Sequence, residues 1–413
     1  MADTADIVVV GAGIIGMSIA LQLARRTRAR IVVVDKGLGP GEGSTGASSA
    51  VCRHRYTRTE TTTLARDGIF AYRHWPEFLE LRDPVARFHN HGVLWFGGLD
   101  SEWPDREAQR LQSLGIRAAV LDDRALAARF PALSACVETP DVASAAPHAC
   151  RGGGRHLFEP DGGYVDPVDT LQDLIAAARA RGVDVRFRAK VAGILAAHGA
   201  ANGVVLADGT RLACGYLVNA AGPWCNAVFA LAGLPCPWPL QPTRIQMAVV
   251  DRAGDVAGDI PVCADPTGGI YFRTQNRGQQ LIVGSVREED EQEQVADPDD
   301  FPTYADDDFV RAKLYLLQHR IPTGARPSGV RGYSGLYTMN RSDVHPVVGA
   351  TPLHGFYVAN GFSGHGFKLA PAIGSLIAQE ITGQTIGFDT SVDRRFLAFD
   401  RSPIALPSKN VLA

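Results

Sequence analysis

DIVVVGAGIIGMSIALQLARRTRARIVVVDKG, Asp6 to Gly37, is the stretch on which the fold turns. The β-branched run Ile7 to Val10 reads as a buried strand, and Gly11, Gly13 and Gly16 follow in G-x-G-x-x-G spacing. An apolar helix begins at Ile14 and Ile15, and a second β-branched run ends at Asp35 and Lys36. In this register the glycines permit a tight turn, approach of a pyrophosphate to backbone N–H groups, and close packing of helix on strand. Asp35 stands where a carboxylate accepts hydrogen bonds from a ribose hydroxyl. The unit predicts a dinucleotide site, and it leaves NAD and FAD equally open because both carry the adenosine diphosphate half.

Working outward, the chain does not continue as a plain nicotinamide fold, which would alternate strands and helices to complete its sheet. Small residues from Gly39 to Ser49 make a long loop, with Ser44, Thr45, Ala47, Ser48 and Ser49 placed to lie against something flat or phosphorylated, and a helix starts near Glu60. A βαβ-like passage, Asp169 to Ile194, predicts a strand ending at Lys190 and Val191. A hairpin around Asp208 and Gly209 leads to a strand running into Ala220, Ala221, Gly222 and Trp224. Near the end, NGFSGHGFKLAPAIGSLIAQEITG (Asn360 to Gly383) places Gly361, Gly364 and Gly366 before a helical periodicity. A glycine loop feeding a helix N-terminus presents free N–H groups and a partial positive charge to an electron-rich group.

Composition narrows the class. With 413 residues, 46% hydrophobic and 21% charged, and a net charge of -3, the chain has material for two domains and no basic excess for nucleic acid. RRTRAR (Arg25 to Arg30) reads as a solvated helix end, and REEDEQEQVADPDD (Arg287 to Asp300) as an exposed loop. Seven cysteines without a C-x-x-C pair point to a reducing, cytoplasmic setting, with neither a disulfide framework nor a metal site. The apolar run Ile7 to Ala24 contains three glycines, Ser18 and Gln22, and ends in arginines, so it reads as strand, turn and helix rather than a membrane span.

VGAGIIG, GSTGASS, LVNAAGPW, GLYTMNRSDVHPVVG and GFSGHGFKLAPAIG, in this order and spacing, resemble the FAD-dependent amino-acid and amine oxidoreductases related to D-amino-acid oxidase. Within that group the sarcosine oxidase and dimethylglycine dehydrogenase branch is the most similar. The resemblance implies an α/β (α+β) fold: a Rossmann-like FAD-binding domain (1–84, 156–234 and 329–400) and an interleaved substrate domain on a mixed or antiparallel sheet (85–155 and 235–328), with a tail at 401–413. It implies that Gly361, Gly364, His365, Gly366, Phe367 and Lys368 lie against the flavin, and that Arg53 and Lys368 clamp a substrate carboxylate beside Tyr337. His365 is then a structural or flavin-contacting group, and His345 a structural one.

Where covalent members of the branch carry a flavin-linking cysteine or histidine, this chain has Gly335 and Gly46 or Ala47, so non-covalent FAD is expected. Ile282 aligns to a lysine that promotes reaction with oxygen, which leaves either oxygen or another electron acceptor. The implied reaction is oxidation of a small carboxylate-bearing amine, an N-methyl, N-substituted or cyclic amino acid, by hydride transfer to flavin N5, giving an imine that hydrolyses. The alternatives are a D-amino-acid dehydrogenase or oxidase acting on a primary amine, and a flavoprotein subunit or assembly factor of a larger complex with partner subunits.

Overall fold

The computed structural model describes residues 3–99, 101–144 and 148–412. Ile7–Val10 and Ile31–Val34 are buried along their whole length and pair in parallel at the centre of a six-stranded sheet. Its order is Val347–Ala350, Phe356–Asn360, Tyr216–Asn219, Ile7–Val10, Ile31–Val34 and Asp184–Arg186, parallel except at the first pair. Strands covered on both faces need apolar side chains on both, which is why these runs do not alternate. One face packs under the helices Ile14–Ala24, Thr59–Arg73, Pro167–Ala180 and Gly366–Thr382. The other packs against a four-stranded sheet, whose hairpin joins Ala200–Leu206 to Arg211–Ala213, and the helix Cys225–Leu231. No helix among the described residues is long and apolar enough to cross a membrane.

A second, eight-stranded sheet runs Arg331–Asn340, Leu240–Asp251, Gln280–Ser285, Ile270–Gln275, Val262–Asp265, Val93–Trp95, Arg155–Glu159 and Ala119–Asp122. It is antiparallel except where Val262–Asp265 meets Val93–Trp95, which makes the molecule the mixed α/β fold expected. Hydrogen bonding divides the chain differently from the motif boundaries. Arg331–Asn340 pairs along its length with Leu240–Asp251, from Arg331↔Val249 to Asn340↔Leu240, and Arg155–Glu159 pairs with Val93–Trp95. Arg331–Asn340, which carries the start of GLYTMNRSDVHPVVG, and residues 156–159 were expected in the cofactor domain. A side chain at one end of a strand does not say which sheet the strand joins.

Other local expectations also change. The strand expected to reach Val191 stops at Arg186; Arg188 (φ 57°) turns the chain, and Val191 opens a new strand. Arg26, expected to be solvated, is buried and paired with Asp389, while its guanidinium also donates to the Gln22 carbonyl at 2.8 Å. The acidic run is not uniformly exposed: Glu291 is buried, and Asp299 pairs with Lys36. The 401–412 segment is anchored at its two ends, with Arg401 paired to Asp343 and Leu412 seated against the apolar cluster around Trp95.

Candidate active site

A cavity of about 510 Å³ opens where the parallel strands end, lined by Val10, Val34, Asn360 and the loops that follow them. This is the carboxyl edge of an open α/β sheet, the usual ligand position. The first turn there is tightly constrained. Gly11 adopts φ +108°, and a Cβ on Gly16 would sit 1.9 Å from the Gly11 carbonyl oxygen, so no side chain fits. The helix Ile14–Ala24 that follows has no side-chain cap from Gly13 and no acidic residue in its first turn. Its Ile14 N–H donates to Thr45 Oγ1 at 3.0 Å. Asp35 braces the loop by accepting from Ala12 N–H and Gly37 N–H, both at 2.7 Å.

The helix Gly366–Thr382 reaches the same cavity by its own N-terminus, again without a side-chain cap or an acidic first turn. Gly364 (φ +83°) turns the chain into it; a Cβ there would lie 2.7 Å from the Tyr337 ring and 2.8 Å from the Val411 side chain. Two uncapped N-termini thus aim partial positive charge into one cavity, a fit for a pyrophosphate and for an electron-rich ring. Ser44 Oγ, a buried hydroxyl without a partner in this wall, is a further polar group that a ligand would satisfy.

Of the residues expected at the cofactor, Gly11, Gly13, Ile14, Ile15, Asp35, Lys36, Ser44, Thr45, Ala47 and Ser48 line the cavity. So do Val191, Ala220, Ala221, Gly222, Trp224, Gly364, Gly366 and Phe367, with Tyr337. Gly16, Ser49, Gly361, His365 and Lys368 do not. Gly16 packs on Gly11, while Ser49 ties the early loop to the second sheet by accepting from Arg273 Nε at 2.6 Å and Tyr271 Oη at 3.1 Å. Ile282 is buried among Met247, Val249, Tyr271 and Tyr333, outside the lining. Gly335 and Ala47 face each other across the wall, a Cβ on the former lying 2.5 Å from that of the latter.

Sequence reasoning missed Phe187, Asp299, Phe301, Thr303 and Ser334, all of which line the cavity. Asp299 accepts from Trp224 Nε1 at 3.0 Å and pairs with Lys36, whose ammonium lies 4.0 Å from the Trp224 ring centre. No local pattern marks these residues: Phe187 follows the edge strand Asp184–Arg186 of the first sheet, and the other four arrive from the second sheet and its connections.

Arg53, His365 and Lys368 form a buried cluster beside the Gly364 and Tyr337 end of the cavity. Arg53 lies 3.8 Å from the Tyr56 ring centre, donates to the Arg55 carbonyl, and donates to the Val411 carbonyl at 2.6 Å. Lys368 Nζ donates to the Gly364 carbonyl at 3.2 Å. Burial, then the Arg53 charge, lower its pKa to about 7 against a small opposing effect of Cys52. His365 meets the Tyr56 ring edge-on and donates from Nε2 to the Val411 carbonyl at 3.0 Å, while Nδ1 has no partner. Burial, with Lys368, Arg53 and His345 adding to it, holds His365 well below its ordinary range and therefore neutral. His345 is held by Thr61 Oγ1 at 2.8 Å and the Asp343 carbonyl at 2.9 Å, bonds suited to a structural role.

Two further residues, unmarked in the sequence, complete this end. Tyr56 has a buried hydroxyl without a partner, and burial first raises its pKa to about 12. Glu291 accepts from Val411 N–H at 3.2 Å, and burial raises its pKa to about 8.

The model of the family described as DAO, FAD dependent oxidoreductase, matches residues 6–380. The chain belongs to this family. It is 26% identical over 444 residues to FAD-dependent oxidoreductase domain-containing protein 1 of Xenopus laevis, covering 95% of this chain and 83% of that one. N-methyl-L-tryptophan oxidase of Salmonella dublin is 24% identical over 392 residues, covering 93% and 96%. Among solved structures, L-proline dehydrogenase from P. horikoshii superposes with a TM-score of 0.81 at 22% identity, over 97% of this chain and 98% of that one. Its likeness is one of fold. The family makes FAD the dinucleotide of this cavity, and the turn at Gly11, the carboxylate of Asp35 and the two uncapped helix ends fit it.

Proposed function

We propose that the chain oxidises a small carboxylate-bearing amine, N-methylated, otherwise N-substituted or cyclic, with FAD held without a covalent bond. The observation that carries this reading is the pair Arg53 and Lys368. Both are buried, and among the described residues their hydrogen-bond partners are backbone carbonyls, with no carboxylate paired to either. Burying a cation without an anion costs several kcal/mol, so two side by side are retained where a ligand supplies the charge. A substrate carboxylate replacing the neutral Val411 carbonyl as acceptor makes shorter, stronger charge-assisted bonds to the Arg53 fork.

Anchored by its carboxylate, the substrate is fixed with its amine and adjacent C–H toward the Tyr337 and Gly364 end of the cavity, which removes orientational freedom from the reaction. FAD, when bound, supplies a hydride acceptor at N5. The buried positive charge of Arg53 and of Lys368 with its carboxylate bound disfavours a further cation, so the substrate amine binds neutral, and an amine already neutral needs no base to form the imine. Water then hydrolyses the imine. The N-methyl-L-tryptophan oxidase among the relatives is consistent with an N-substituted amine. The absence of cysteine and histidine from the described lining, with Gly335 opposite Ala47, supports non-covalent FAD.

An anaerobic screen tests the reading. N-methyl amino acids, cyclic imino acids, primary amino acids of both hands and amines lacking a carboxylate are added to the purified flavoprotein while flavin bleaching is followed. Bleaching confined to carboxylate-bearing secondary amines is expected. Preference for a primary amino acid would move the assignment to that substrate class, and bleaching by decarboxylated analogues at equal rates would reject the carboxylate clamp.

A further inference from the structure

Away from the cavity, the chain from 130 to 154 runs past the end of the helix Asp307–Arg320, and its described residues form neither helix nor strand. Connections of this length without secondary structure are uncommon in a compact domain unless something ties them down. Within it, Cys136, His148 and Cys150 bring one ligand atom each to within 4.8 Å of one another. Cys136 Sγ lies 3.3 Å from His148 Nε2. We propose that Cys136, His148 and Cys150 bind a zinc ion that clasps this connection to the substrate domain.

The donor set is a borderline-soft one, two sulfurs and an imidazole nitrogen, which suits Zn²⁺. With Zn–S of about 2.3 Å and Zn–N of about 2.0 Å, a tetrahedral ion holds sulfur and nitrogen about 3.5 Å apart and two sulfurs about 3.8 Å apart. The present separations, all within 4.8 Å, reach that geometry by changes of at most about 1.3 Å. Arg151 N–H donates to Cys136 Sγ at 3.4 Å, a bond that strengthens as the thiol becomes a thiolate. Val137 N–H donates to the Arg151 carbonyl, so the two limbs are already joined beside the proposed ion.

The base of the clasp is rigid. The Cys136 carbonyl accepts from Arg320, which is buried and paired with buried Asp265 at 2.7 Å, linking the cluster to the helix Asp307–Arg320 and the strand Val262–Asp265. His319 packs edge-on against His148, ring centres 4.5 Å apart, and bonds the Glu138 carbonyl through Nε2 at 3.1 Å, which restrains the His148 ring from outside. Cys136 is buried and Cys150 exposed, so the fourth position faces solvent. Binding displaces the two thiol protons, and no oxidant or reductant is involved. The sequence spacing C-x₁₁-H-x-C hides the set, because it lacks the paired C-x-x-C by which such sites are read.

The test uses the FAD-loaded protein, stripped of metal under reductant and titrated with Zn²⁺ or Co²⁺. About one ion per chain is expected, with thiolate-to-cobalt charge transfer and the visible bands of tetrahedral Co²⁺. Zn²⁺ should raise the Tm of the parent. Cys136→Ser and His148→Ala should weaken Zn²⁺ by roughly tenfold or more and abolish the Tm rise while retaining flavin, whereas Cys236→Ser should bind as the parent does. No stoichiometric ion in the parent would overturn the proposal without recourse to any variant. So would unchanged affinity in Cys136→Ser and His148→Ala, or a Cys136–Cys150 disulfide persisting under reductant.

Discussion

Replacing Lys368 by Met keeps most of the stem's length while removing the ammonium, so packing changes little. In the free protein burial lowers the Lys368 pKa to about 7, and at pH 9 roughly one molecule in a hundred carries the charge. A bound carboxylate favours the ammonium, so binding takes up a proton, and affinity falls by up to tenfold per pH unit above pH 7. At about pH 6, where the ammonium is already present, loss of its ion pair with the ligand costs roughly 2–5 kcal/mol, a weakening of roughly 30-fold to several-thousand-fold. By about pH 9 taking up that proton costs the parent up to about 2.7 kcal/mol, so the gap between parent and Lys368→Met shrinks by up to about a hundredfold and closes at the lower end of that range.

The assay is the Kd of a non-oxidisable carboxylate without an amine, read from flavin absorbance between about pH 6 and 9, so that the ligand does not titrate. Among the facing groups, His365 is neutral throughout, and Cys52 and Tyr56, with pKa values pushed up to about 12, stay protonated. Glu291, with a pKa of about 8, titrates inside the window, so the series is repeated in Glu291→Gln. Parallel pH slopes for parent and Lys368→Met in that background would refute the reasoning. Equal weakening of a ligand lacking the carboxylate would do the same.

Asp35→Ala should weaken FAD by about 1.5–3 kcal/mol if the carboxylate holds a ribose hydroxyl; unchanged FAD affinity in a folded variant would remove Asp35 from that role. Glu291 keeps its proton in the folded protein between about pH 4.5 and 8 while the unfolded chain has lost it, so stability falls as pH rises through that window, by on the order of 5 kcal/mol in total. Glu291→Gln should flatten this stretch of a Tm-against-pH curve, and a slope identical to the parent's would show that the group is not the source. Acid precipitation should leave FAD in the supernatant; flavin in the pellet would contradict the reading of Gly335 and Ala47. Gly364→Ala must place a Cβ 2.7 Å from the Tyr337 ring at a positive φ, so it should lower Tm and disturb the flavin spectrum, and a variant with neither change would mean that this turn tolerates a side chain.

The cofactor half was legible from residue types alone because its requirements are local. A turn at φ +108° with no room for a Cβ admits glycine, buried parallel strands admit continuous β-branched runs, and the helix starts follow directly in the chain. The same locality marked the GFSGHGFK turn, whose neighbours Tyr337 and Val411 crowd Gly364 from distant parts of the sequence. What Arg53 and Lys368 do was not local. Arg53 as a surface charge and as a clamp have identical sequence, and burial beside Tyr56 with carbonyl partners is a property of packing.

Tertiary structure alone placed Asp299 against Lys36 and Trp224, buried Glu291 within an acidic run, and folded the Val411 carbonyl onto Arg53 and His365. It also gathered Cys136, His148 and Cys150. Each of these depends on contacts between residues far apart in the chain or on how a loop folds back on itself. Composition and periodicity report which face of an element is buried. They carry no record of what that face meets, because burial is set by the partner element and charge by what the partner brings to it.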